Sequence, residues 1–106
     1  MVRYRRKRLP GATYFFTLTL KDRRPTVLIN RIDLLRVAMK RVQTACPYKV
    51  HAIVILPDHL HAIWKLPEGD SDYSLRWRLI KRYFTKSVID SGLEFKKNRR
   101  SEYDLW

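Results

Sequence analysis

The run KVHAIVIL-PD-HLHAIWKL over residues 49–66 constrains the fold of this chain more than any other segment. Lys49 to Leu56 is short and almost continuously apolar, which suits a central strand. Pro57-Asp58 supplies a tight turn, and His59 to Leu66 reads as the strand that returns alongside in a hairpin. Upstream, Pro10-Gly11 marks a turn, and Thr13 to Leu20 (TYFFTLTL) is aromatic and β-branched, as a strand requires. Between these strands, from about Ile32 to Ala45, Leu35, Ala38, Met39, Val42 and Cys46 recur at helical spacing until Pro47 ends the pattern. Pro67-Glu68-Gly69-Asp70 breaks the hairpin's second strand. From about Ser74 to Asp90 a further helix is predicted, with Trp77, Ile80, Phe84 and Val88 as its apolar stripe and Gly92 as its stop. The closing FKKNRRSEYDLW is charged and predicts no element.

The resulting order, β-α-β-β-α, is an α+β arrangement. It begins the ferredoxin-like, split βαβ fold, with one antiparallel sheet and helices on one face. Its last strand is missing. That strand would pair beside the first and cover an open edge, so either the charged tail supplies a poor strand or the fold is cut short. With 106 residues the chain has room for one domain. A single cysteine, Cys46, excludes an internal disulfide and a Cys-based zinc cluster, and its place on the apolar helix face reads as core. MVRYRRKRLPG has the basic start of a signal peptide without the apolar stretch that should follow, and no run approaches the length of a spanning helix. A cytoplasmic location without a membrane partner is expected.

Charge narrows the partner. Lys and Arg number 23 against 10 Asp and Glu, a formal net charge of +13, and nucleic acid is the commonest polyanion such a field attracts. The basic residues fall in three groups: Arg3, Arg5, Arg6, Lys7 and Arg8; Arg76, Arg78, Lys81, Arg82 and Lys86 on the second helix; and Lys96, Lys97, Arg99 and Arg100. Any one run alone is a solvated face. Three together, with Tyr4, Tyr14, Tyr73 and Tyr83 interleaved, predict a phosphate-tracking surface with some base stacking.

His59 and His61 are the sharpest chemical feature. A strand's side chains alternate, so both imidazoles leave the same face, with Leu60 turned into the core. Such a pair can ligate a divalent metal; the bland alternative is two histidines on a solvated sheet face. His51, on the preceding strand, reads as packed or half-exposed rather than as a third ligand. No calcium-type acidic cluster, GxGxxG, Walker sequence or GxSxG is present. Trp64 and Trp77 lie on apolar faces and are expected in the core.

At ILPDHLHAIWKLPEGDSDYSLRWRLIKRYFTK the chain resembles the REP-associated tyrosine transposases, which belong to the single-tyrosine HUH class named for a His-hydrophobic-His motif, here His59-Leu60-His61. The basic N-terminus running into PGATYFFTLTL, the helix RIDLLRVAMKRV and the LPEGDSDYS loop fit as well, so the likeness covers essentially the whole chain. The resemblance implies single-stranded DNA folded into hairpins at repetitive extragenic palindromes as substrate, cut by a tyrosine hydroxyl to leave a 5′-phosphotyrosine link. It implies Mg²⁺ or Mn²⁺ on His59 and His61. It also exposes a departure: the segment resembling Tyr-Ile-x-x-Asn-Pro-Val, which carries the nucleophile, is absent. These residues then correspond to the N-terminal two-thirds of the family domain, and the nucleophile is expected beyond Trp106. Tyr83 is the available substitute, although the family has no nucleophile at its position, and Tyr103 is no better placed. Two readings follow, a metal-dependent transposase or a noncatalytic hairpin-binding fragment, each as monomer or homodimer. An RNA-binding module would leave the histidine pair unexplained and lacks the usual paired aromatics.

Overall fold

Alternation along one strand, His59–Lys65, organises the molecule. The computed structural model describes residues 11–21, 26–92 and 105–106. Its elements are β1 (Thr13–Thr19), α1 (Val27–Asn30), α2 (Ile32–Ala45), β2 (Lys49–Ile55), β3 (His59–Lys65) and α3 (Tyr73–Asp90). Leu60, Ala62 and Trp64 of β3 are buried to within 1% of full burial, while the residues between them turn to the opposite face. β1 and β2 both pair antiparallel with β3, giving the order β1-β3-β2. Among the described residues that is the order of three of the four strands of a split βαβ fold.

β3, not β2, is therefore the central strand. The apolar run KVHAIVIL lies at an edge of the described sheet and leaves Ala52, Ile53 and Val54 exposed. Continuous apolar character normally reports burial on both faces. Here it reports an edge strand that meets the core only through the half-buried Val50 and Ile55, whereas the strictly alternating β3 is paired on both edges. A register shift between Val50 and Ala52 places His51 at a bulge, exposed and out of step with its neighbours. The strand expected after Gly92 falls on residues outside those described.

All three helices cover one face of the sheet. Leu35, Ala38 and Val42 of α2 are buried against it, as are Trp77, Ile80, Phe84 and Val88 of α3. Aromatic rings join the layers: Trp64 lies parallel to Tyr48 on one side and Trp77 on the other, each at 4.0 Å between ring centroids. Phe16 meets Trp64 and Trp77 edge-on at 5.0 and 5.4 Å. The Tyr48 hydroxyl donates to the Met39 carbonyl at 2.8 Å, and burial pushes its pKa upward.

Asp72 caps α3 by accepting the Leu75 N–H at 3.0 Å. Gly92, with φ of +100°, ends the helix in the left-handed region as its position predicts. Short helix α1 has no counterpart in the sequence reading. Leu105 and Trp106 also join the core: Leu105 is 3% exposed and its carbonyl accepts the Lys21 N–H, while Trp106 packs against Phe84. Among the described residues no helix is long and apolar enough to cross a membrane.

Candidate metal and nucleic-acid site

His59 and His61 stand on the face of β3 that the helices leave uncovered, with ring centroids 5.2 Å apart. Each is oriented through Nδ1. For His59 the partner is the Asp58 carboxylate at 2.7 Å, a residue fixed by the Pro57-Asp58 turn. For His61 it is the Thr17 hydroxyl at 3.0 Å, and Thr17 is its direct cross-strand partner on β1. An imidazole that donates from Nδ1 presents Nε2 as a lone-pair donor, the tautomer a metal needs. The Leu20 N–H donates to the Asp58 carbonyl at 2.9 Å, which extends the β1–β3 pairing to the turn and steadies it.

The donor set fits two positions of a divalent cation's shell and no more. Among the described residues no group of three His, Cys, Asp or Glu side chains converges on one point. His51 does not join the pair: the β2 residue opposite His61 is Val54, and His51 lies three residues away at the bulge beside Ile63 and Trp64. Hard cations take about six ligands, so water and phosphate oxygens would fill most of the shell.

The basic residues of α3 divide by burial. Arg78, Arg82 and Lys86, at i, i+4 and i+8, form an exposed stripe. Lys81 is half-buried with its ammonium 5.7 Å from the Trp106 ring centre, and burial lowers its pKa. Arg76 is not a phosphate contact at all. It is 2% exposed and donates to the carbonyls of Cys46, Pro47 and Asp72 and to both carboxylate oxygens of Asp70, at 2.8–3.2 Å. This guanidinium ties the corner between α2 and β2 to the start of α3. In return it holds the Asp70 carboxyl at a pKa of about 2, with help from the Asp72 N–H. The signal lay in the periodicity: Tyr73, Arg76, Trp77 and Ile80 share one helical face, so an arginine on the apolar stripe had to be buried.

The tyrosines divide in the same way. Tyr14 and Tyr73 are 1% and 6% exposed with rings 5.1 Å apart, so they belong to the core and not to a stacking surface. Tyr83 is half-exposed on α3, beneath the Arg41 guanidinium at 4.0 Å. α3 packs on the face of the sheet opposite the histidines, since Trp77 stacks on Trp64 while His61 points the other way. The sheet thus separates Tyr83 from the pair. Arg3, Tyr4, Arg5, Arg6, Lys7, Arg8, Lys96, Lys97, Arg99, Arg100 and Tyr103 lie outside the described residues.

No family model matches the sequence. Among known proteins, the chain is 47% identical over 85 residues to a REP-associated tyrosine transposase of Escherichia coli K12, covering 80% of this chain and 52% of that one. It is 38% identical to a Haemophilus influenzae protein provisionally given the same name, over 100% of this chain and 61% of the relative. A solved REP-associated tyrosine transposase, bound to a REP hairpin, superposes with a TM-score of 0.81 at 40% identity, over 100% of this chain and 57% of that structure. The chain is a homologue of the REP-associated tyrosine transposases. It spans about half to three-fifths of the length of these transposases. A provisionally named transposase of Deinococcus radiodurans shares the fold alone, at 13% identity and a TM-score of 0.61.

Proposed function

We propose that this transposase homologue binds hairpin-forming single-stranded DNA of the repetitive extragenic palindromic type. In this reading His59 and His61 hold Mg²⁺ or Mn²⁺ in service of cutting and rejoining the strand through a 5′-phosphotyrosine link. The observation that carries the reading is the likeness, over the whole of this chain, to a transposase bound to a REP hairpin. A divalent cation at the pair supplies charge neutralisation at the scissile phosphate. The chain's own residues do the rest of the positioning. Asp58 and Thr17 hold the two imidazoles, and Arg78, Arg82 and Lys86 grip backbone phosphates on the helical layer. Arg3, Arg5, Arg6, Lys7 and Arg8 extend that grip. The working compartment is the cytoplasm, where chromosomal DNA lies.

A second reading, a hairpin binder without chemistry, is favoured by one specific observation. Every described tyrosine is either in the core or, for Tyr83, on the far side of the sheet from the histidines. The nucleophile of the first reading must then come from outside the described residues.

Both readings meet in one assay: the chain with a labelled REP-type hairpin and Mn²⁺, run on native and denaturing gels. A native complex that weakens steeply with salt is expected from both. A covalent adduct that survives denaturation and vanishes in the His59→Ala/His61→Ala double variant supports the transposase. Binding without an adduct supports the binder, and absence of any native complex overturns both.

A further inference from the structure

We infer that Phe15 is a stacking platform for one nucleobase of the strand held at the histidine pair, an inference that rests on the single-stranded DNA reading above. Exposed large apolar side chains among the described residues are Phe15, Ile29, Val37, Ile53 and Val54, and of these only Phe15 offers an aromatic face. It stands on the histidine side of the sheet, 42% exposed, while its β1 neighbours Tyr14 and Phe16 are buried beneath the helices. Its ring lies nearly parallel to that of His61, at 16° and 5.8 Å between centroids. The cross-strand register accounts for this contact. Thr17 faces His61 and Phe15 faces Ile63, so Phe15 and His61 are diagonal neighbours on one face.

That placement matters because a base and its own phosphate lie within one side chain's reach of each other. A base seated on Phe15 would leave its backbone beside His61. The next row of the same face then supplies the charge. Lys49 and Lys65 are direct cross-strand partners, both exposed. Like charges placed opposite each other are unfavourable by themselves, and a bound phosphate removes the conflict. Histidine pair, aromatic ring and lysine pair therefore follow one another down a single sheet face. This matches a nucleic-acid strand, which alternates anionic backbone with flat apolar bases. An apolar protein segment would satisfy the ring but not the lysines.

Stacking on an aromatic ring is tolerant of base identity, so the platform should favour single-stranded over paired nucleotides more than one base over another. The test compares two DNA probes against the full chain. One is a blunt REP-type hairpin; the other carries a short single-stranded flank with 2-aminopurine placed at each position in turn. Wild-type protein should quench 2-aminopurine at one flank position. Phe15→Leu, which keeps the apolar bulk and removes the π face, should lose that quenching and bind the flanked hairpin about tenfold more weakly. It should bind the blunt hairpin as before and melt at the wild-type temperature. Phe15→Trp should restore both quenching and affinity.

Unchanged affinity of Phe15→Leu for the flanked probe overturns the inference while leaving hairpin binding intact. Equal loss on both probes with a lowered melting temperature overturns it as well, and assigns Phe15 to protein packing. If wild-type protein binds neither probe, the DNA reading fails and takes the platform with it.

Discussion

The two faces of β3 are built from the same seven residues by different rules. On one face Leu60, Ala62 and Trp64 are closed under helices, and Trp64 sits between Tyr48 and Trp77 in a three-ring stack. On the other, His59, His61, Ile63 and Lys65 remain partly or fully open, and the histidines are held by short polar contacts to Asp58 and Thr17. The closed face concentrates the apolar burial that stabilises the fold. The open face contributes little to that burial and keeps free the groups that can meet metal and phosphate. A strand with period two lets these tasks sit one residue apart, so substitutions at adjacent positions should have effects of different kind as well as size.

The sharpest way to break that contrast is Trp64→Ala against His61→Ala. Removing the indole deletes both stacking contacts and leaves a cavity between β2, β3 and α3, at a cost of about 3–5 kcal/mol. Total stabilities run at about 5–15 kcal/mol, so Trp64→Ala should be largely unfolded or melt at far lower urea. His61→Ala, on the partly open face, should cost less than about 1 kcal/mol in the same urea titration. Comparable losses would mean that the open face is structural too.

A second contrast lies along α3, between Arg76 and its neighbours. Arg76→Met leaves the Cys46 and Pro47 carbonyls without their buried donor, and a destabilisation of about 3 kcal/mol is expected. Acid reports on the same contact. The Asp70 carboxyl is lowered from 3.8 to about 2 in the fold, so the stability it contributes is present above pH 4 and is lost as pH falls through 2. Asp70 is 38% exposed on its side chain, which keeps that contribution small. In Arg76→Met the segment of the stability curve between pH 4 and 2 should become flatter than in wild type.

How much of this was legible depended on whether a residue's role was local. The strand–turn–strand of residues 49–66, the two main helices, the shared face of His59 and His61 and the burial of Leu60, Trp64 and Trp77 all follow from period and turn chemistry. Strand order does not. A run as apolar as KVHAIVIL reads as central, yet pairing on one side or two is settled by tertiary packing, and β3 took the centre. Residue type alone assigns Arg76, Tyr14 and Tyr73 to a DNA surface, whereas helical and strand phase put all three inside. The partners Asp58 and Thr17 differ again. Asp58 is adjacent in sequence to its histidine, but Thr17 reaches His61 only through the β1–β3 register, which a single sequence does not reveal.

Asp58→Asn sharpens the open face by itself. The amide keeps the shape of the carboxyl but is a weaker acceptor for the His59 Nδ1–H and makes the imidazole less basic at Nε2. Losing such an outer-shell partner commonly weakens metal affinity by about 10–100-fold, and the lower end of that range is expected for so exposed a site. Calorimetric titration with Mn²⁺ should show the loss, while metal-free hairpin binding should match wild type. A parallel drop in metal-free binding would mean that Asp58 serves the loop more than the histidine.

The smallest effect should come from Arg82→Ala, one position in the exposed stripe of α3. Arg82 lies six residues beyond Arg76 and is as open as Arg76 is closed, so its loss should move stability by no more than about 0.5 kcal/mol. The contribution proposed for it is a phosphate contact. Hairpin affinity should then fall by a similar factor for every hairpin sequence, and the slope of log K against log salt should become shallower by about one. Measuring that slope for Arg82→Ala and for the sheet-face substitution Lys65→Ala separates two arrangements of DNA on the protein. If both slopes change, the strand passes an edge of the sheet and touches both faces. If only Lys65→Ala changes the slope, the helical stripe is a solvated surface, and recognition is confined to the face that carries the histidines.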